Sequence, residues 1–151
     1  EGQPRKAFEK AINNSNKVAM SLSDLFCVER HKIQFLELVK NKIDIVFGNE
    51  QEIMSLINAK SFSDVISFAK NLKNNVIITR GEHGAISIKD KEVIECSAKK
   101  NLDIVDLTGA GDLFAAGYLH GIINNMDVKN SLANGAEMSS RIIQQFGARL
   151  K

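Results

Sequence analysis

The chain contains no tryptophan, one tyrosine and one proline, Pro4. So few aromatic rings exclude a base-stacking platform of the kind that single-stranded nucleic acid requires. A lone proline near the amino terminus excludes Pro-rich linkers and leaves the later helices and strands free of their strongest breaker. Cysteine is nearly as scarce. Cys27 and Cys96 stand far apart, and no Cys/His cluster has metal-ligand spacing, so a disulfide framework and a zinc module are both excluded. Reduced, intracellular thiols are the expectation. An excess of one charge is also lacking. Lys and Arg total 20 against 18 Asp and Glu, for a net charge of +2, which gives no basis for nucleic-acid or membrane-surface binding. No apolar run is long enough to span a bilayer, and no signal-peptide pattern opens the chain. A cytoplasmic location is expected.

What is present is ordinary for a folded domain. Hydrophobic residues make up 44% and charged residues 25% of 151 positions, enough to bury one core. The periodicities alternate between helix and strand. Helical spacing predicts helices over 5–13, 29–40, 50–58, 61–73, 111–124 and 128–145, with Ser61 and Asp64 forming a capping box and Gly147 serving as the last C-cap. Short β-rich runs predict strands over 17–22, 43–47 and 76–79. "GAISIKDKEVIEC" reads as a β-hairpin turning at Lys89, Asp90 and Lys91. Strands separated by helices of these lengths imply βαβ units, hence an α/β fold with a mostly parallel sheet flanked by helices. Ligands in such sheets sit beyond the carboxyl ends of the strands. The loops that follow the strands gather Asp24, Asn49, Glu52, Gly81 and Gly84 at that edge.

"DLTGAGDLFAAGYLHGI", from Asp106 to Ile122, carries the most chemistry. Gly109, Ala110 and Gly111 stand where a helix begins. The first turn of a helix has N–H groups without internal partners, the dipole adds partial positive charge there, and small side chains let an anion approach. Asp112 stands beside that anion, placed to accept a proton from an attacking hydroxyl. Positioning, charge stabilisation, a metal and a base are what phosphoryl transfer requires. The same four residues alone would read as a tight turn with a capping acid. The following residues, Leu113 to Ile123, are apolar nearly all round, so the helix is expected to be buried and the acid to face a cleft. His31, His83 and His120 are assigned no role, and Asp24 and Arg30 are expected to meet solvent.

"DLTGAGDLFAAGYLHG" resembles the signature of the PfkB, or ribokinase-like, family of carbohydrate and nucleoside kinases. "NEQE" resembles that family's Asn-x-x-Glu motif, and "ITRGEHGA" resembles its nucleotide-flanking strand and glycine turn. Neither a Walker P-loop nor a Gly-x-Gly-x-x-Gly motif is present. The resemblance implies ATP, Mg²⁺ and a sugar or nucleoside acceptor. It implies that Asp112 is the base and that the N–H groups of Gly109, Ala110, Gly111 and Asp112 form an anion hole. Glu52, with Asn49, organises Mg²⁺ and its waters. Thr79, Gly81 and Gly84 line the nucleotide, and Asn134 lies near the adenine. Asp106, with the segment 146–148, resembles a monovalent-cation (K⁺) site. Leu107 stands where the family has Thr or another small residue, a departure that bears on the cation site and leaves the anion hole intact.

The resemblance spans 1–151 but only the carboxyl-terminal half of the family pattern, without the amino-terminal half and its lid. The half is therefore expected to be inactive by itself, and pairing with the missing half, or as a homodimer, is left open. The stretch 20–39 has an adenosine-kinase-like cast. Two other readings stand beside the kinase: a non-catalytic nucleotide- or phosphate-binding module, and a structural α/β domain whose glycine turn is only packing.

Overall fold

In a computed structural model that describes residues 3–150, five strands form one sheet in the order β1-β2-β3-β4-β5. The strands are β1 (Ala19–Ser21), β2 (Ile45–Asn49), β3 (Asn75–Thr79), β4 (Ala85–Lys89) and β5 (Glu92–Cys96). The first three run parallel, and the last two reverse direction. The sheet is therefore mixed rather than mostly parallel, because the expected hairpin joins the same sheet beside β3. The hairpin turns through Asp90 and Lys91, both at positive φ. A two-residue turn of that kind matches the twist of the flanking strands.

Among the described residues, seven helical segments accompany the sheet: α1 (Gln3–Asn13), α2 (Leu25–Asn41), α3 (Glu50–Ile57), α4 (Phe62–Lys70), a 3₁₀ turn (Gly81–His83), α5 (Ala110–Ile123) and α6 (Val128–Ile142). Along β3, side chains alternate between two cores. Val76 and Ile78 join Val46, Val28, Ile53, Leu56 and Val65, so α2, α3 and α4 cover one face. Ile77 joins Phe47, Phe114, Tyr118 and Leu132, so α5 and α6 cover the other. A strand buried on both faces needs a continuous apolar run, which "VII" supplies.

One helix start and one helix end differ from the sequence expectation. α2 begins at Leu25, not Glu29, because Asp24 caps it by accepting from the Cys27 N–H at 2.7 Å. Asp24 is thus a cap and not merely a solvated loop charge. The Ser61–Asp64 capping box is present as expected and starts α4. At the other end of the chain, α6 stops at Ile142 and is capped by Ile143 in a right-handed conformation. Gly147 is not its cap. It lies beyond, at φ +84°, and donates its N–H to Asp106. The expectation that α5 is buried all round also fails. Phe114, Gly117, Tyr118 and Gly121 form one buried face, while Asp112, Ala116 and Ile123 face outward. With α6 and the sheet filling one side only, nothing among the described residues covers the rest of the helix.

Candidate functional site

β2 and β3 end side by side, with Asn49 paired to Thr79. β5 ends at Cys96 beside Ala85, at the same edge, and the loop toward α5 leaves from there. Tyr118, two turns into α5, lies at the opposite end of β3. Its hydroxyl accepts from Asn75 Nδ2 at 2.8 Å, and its ring meets Phe47 edge-on at 5.7 Å. Ser87 donates to Asn75 Oδ1, so the whole buried polar group is satisfied. The helix therefore runs from the carboxyl edge of the parallel strands toward their start. Its first turn stands at the edge where the loops after β2 and β3 also stand.

Gly109 caps that turn at φ +81°, a left-handed conformation that favours glycine. A Cβ there would also strike the Cβ of Ala148 at 2.9 Å, so the tail after α6 packs directly on the turn. Ala110 donates its N–H to Leu107 O at 3.2 Å, and Leu113 donates to Gly109 O. The N–H groups of Gly109, Gly111 and Asp112 have no partner among the described residues. Three N–H groups of this turn are thus free, and that of Ala110 closes it. Above Gly111 a Cβ would meet nothing within 4 Å. Asp112 is exposed on the same turn.

Asn49 and Glu52 form a complete capping box at the start of α3. Asn49 Oδ1 accepts from the Glu52 N–H at 2.8 Å, and Glu52 accepts from Asn49 N at 2.9 Å and from Asn49 Nδ2 at 2.7 Å. Glu52 is only 6% exposed. Burial pushes its carboxyl above the ordinary range, the Asn49 N–H opposes that rise, and the nearby Asp24 charge adds to it. Each Glu52 oxygen keeps one lone-pair direction after the cap is made. That donor set fits the waters around a metal ion better than direct ligation. No group of three His, Cys, Asp or Glu suited to a metal occurs among the described residues.

The 3₁₀ turn after Thr79 has Gly81 at φ +55° and Gly84 at φ +84°. A Cβ on Gly84 would stand 2.0 Å from the Cys96 carbonyl oxygen, so this turn packs against the end of β5. Asn134 is on α6, where its Nδ2 donates to Gly117 O at 2.7 Å, and its Oδ1 has no partner. Its amide therefore joins α6 to α5. Asp106 is a fastener as well. It accepts from Thr108 N, Thr108 Oγ1 and Gly147 N at 2.9, 2.7 and 2.9 Å. The Gly147 and Thr108 donors hold its carboxyl below the usual range.

Sequence reasoning missed one cluster at this edge. Arg80, directly after β3, donates from Nε to Glu50 Oε2 at 2.9 Å, and its guanidinium lies 4.0 Å from the centre of the Phe62 ring. The signal lay in register: Glu50 and Arg80 follow the paired residues Asn49 and Thr79. That pairing is not visible in a single sequence.

Comparison with known proteins agrees with this geometry. The model of the pfkB family carbohydrate kinases matches residues 5–151. A cytidine kinase of Thermococcus kodakarensis is 30% identical over 115 residues, covering 74% of this chain and 41% of the relative. An adenosine kinase of Schizosaccharomyces pombe is 28% identical over 156 residues, covering 94% of this chain and 46% of its own length. Among solved structures, the adenosine kinase of Sinorhizobium meliloti superposes with a TM-score of 0.87 at 34% identity. That match covers 96% of this chain and 45% of the other. The chain spans less than half the length of these relatives. No helix among the described residues is long and apolar enough to cross a membrane. Glycine turn, capped Asn-x-x-Glu loop and mixed sheet together accord with a ribokinase-like fold, and the chain belongs to the PfkB family of carbohydrate kinases.

Proposed function

We propose that this chain supplies the phosphoryl-handling half of a kinase that transfers phosphate from ATP to a hydroxyl of a sugar or nucleoside. The observation that carries this reading is the first turn of α5. Three unpartnered N–H groups stand there under open space, with the Asp112 carboxylate on the same turn. The acceptor oxygen attacks the γ-phosphorus, Asp112 takes the hydroxyl proton, and the bond to the bridging oxygen breaks to release ADP. The free N–H groups of Gly109, Gly111 and Asp112 stabilise the charge on the transferred phosphoryl. Thr79, Gly81 and Gly84 line the nucleotide, and the free Oδ1 of Asn134 faces the base. Mg²⁺ neutralises phosphate charge when bound. Glu52, steadied by Asn49, would hold the waters of that ion. Asp106 already accepts three protein donors, so its part in the site is to fasten the glycine turn to the tail, and a K⁺ role there has less support.

The test is Asp112→Asn in a kinase assembled from this chain and an amino-terminal half of the length the relatives have. Loss of a general base lowers turnover by about a hundredfold or more. Nucleotide binding, measured by calorimetry, is retained, whereas Gly111→Val fills the open space and abolishes it. Full activity in Asp112→Asn overturns the reading. The free N–H groups of Gly109, Gly111 and Asp112 also suit a second reading, a nucleotide-binding module without transfer. Binding with no transfer to any sugar or nucleoside, even in the assembled protein, would establish that one.

A further inference from the structure

We infer that Arg80 is a positioning residue for the nucleotide, acting by locking the turn after β3 to the helix that carries Glu52. The inference rests on the kinase reading above and gives a role to a residue that the nucleotide-flanking segment "ITRGEHGA" contains but leaves without one.

Asn49 and Thr79 are the last paired residues of β2 and β3, and beyond them the two loops are free to diverge. The next residues, Glu50 and Arg80, hold them together. The Arg80 Nε donates to Glu50 Oε2 at 2.9 Å, with both side chains partly shielded, at 24% and 32% exposure. The guanidinium also stacks over Phe62, the first residue of α4. One planar group thus grips the starts of α3 and α4, an arrangement suited to the rigid fork of arginine.

The backbone of Arg80 builds the other side of the lock. Its N–H donates to Gly84 O at 2.8 Å, and its carbonyl accepts from the His83 N–H at 3.0 Å. Arg80 therefore closes the glycine turn with its main chain and ties that turn to α3 with its side chain. Glu50 is the first residue of α3, two positions before Glu52. Any shift of the turn relative to α3 changes the distance between the groups that line the nucleotide and the carboxylate that holds its metal waters. With Arg80 in place, that distance is set before ligand arrives, which lowers the ordering cost of binding.

The test is calorimetric titration of Mg–ATP into wild type, Arg80→Met, Arg80→Lys, Glu50→Gln and the double variant Arg80→Met/Glu50→Gln, with a thermal melt of each. Loss of the ion pair and the ring contact weakens nucleotide binding by about fivefold. Arg80→Lys keeps the charge without the planar fork and falls between. The double variant is no weaker than Arg80→Met, because both changes break one lock. If Arg80→Met fails to fold, Glu50→Gln carries the same comparison. Wild-type affinity in Glu50→Gln and Arg80→Met, with only the melting temperature lowered, overturns the inference and leaves the kinase reading standing. Absence of binding by folded wild type overturns the kinase reading and this inference with it.

Discussion

Gly117 lies at a close approach of α5 and α6, and Gly117→Ala tests how rigid that seam is. A Cβ at this position would stand 2.8 Å from Asn134 O, 2.9 Å from Gly135 Cα and 3.0 Å from Met138 Cγ. The Met138 side chain can turn aside, but the first two atoms are backbone of α6. The helices must separate by a few tenths of an ångström. Overpacking of that kind costs about 1–3 kcal/mol. The Asn134 Nδ2 bond to Gly117 O, now 2.7 Å, lengthens with it and loses part of the roughly 1 kcal/mol that such a bond contributes. Alanine regains about 0.8–1 kcal/mol in intrinsic helix propensity. The net loss is about 0.5–3 kcal/mol, and at about 2–4 °C per kcal/mol for a chain of this size the midpoint falls by roughly 1–12 °C. Urea and thermal unfolding of the two proteins measure it. A variant at least as stable as wild type would show that propensity outweighs the contact and that α5 and α6 separate freely, refuting the argument.

Tyr118→Phe removes the hydroxyl that accepts from Asn75 and leaves that buried amide without its partner; urea unfolding should show a loss of about 1–3 kcal/mol. An unchanged midpoint would mean that Asn75 finds another acceptor. Glu52 gives a pH test. Because burial raises its folded-state pKa, its contribution to stability is full below the unfolded value, near pH 4.3, and is lost as pH rises through the raised value. Glu52→Gln removes that decline, so the change in unfolding free energy from pH 4 to pH 7 becomes more favourable in the variant than in wild type. Identical pH profiles would refute the burial argument.

Much of this architecture was legible in the sequence because local chemistry and tertiary structure agree. The run "NVIIT" has nowhere to go but the sheet centre, and Asp90 and Lys91 supply the turn that the hairpin needs. "SFSD" caps α4 through its own side chains, a contact that needs no partner from elsewhere in the chain. Failures occurred where the deciding partner is distant in sequence. Gly147 looks like a helix cap until Asp106, 41 positions earlier, takes its N–H. Ala110 is the exception, because the partner that takes its N–H, Leu107 O, lies in the same tight turn. The outward face of α5 could not be foreseen, because apolar residues show that a helix can be covered and not what covers it.

The groups proposed to do the chemistry have little around them to constrain them. Gly111 has open space above it, and Asp112 is exposed. Their placement must come from contacts elsewhere, since a catalytic group left loose by even an ångström loses much of its effect. Three contacts supply it. Asp106 binds the loop ahead of the turn to the tail, Ala148 of that tail seats against Gly109, and Asn134 holds the body of α5 to α6. On the other side of the sheet, Arg80 and Glu50 fasten the loops that follow β2 and β3. Each of these contacts joins elements that only the folded chain brings together, so the signature motif alone cannot hold the geometry its chemistry requires. Disturbing a fastener should therefore alter ligand affinity while the signature residues remain unchanged.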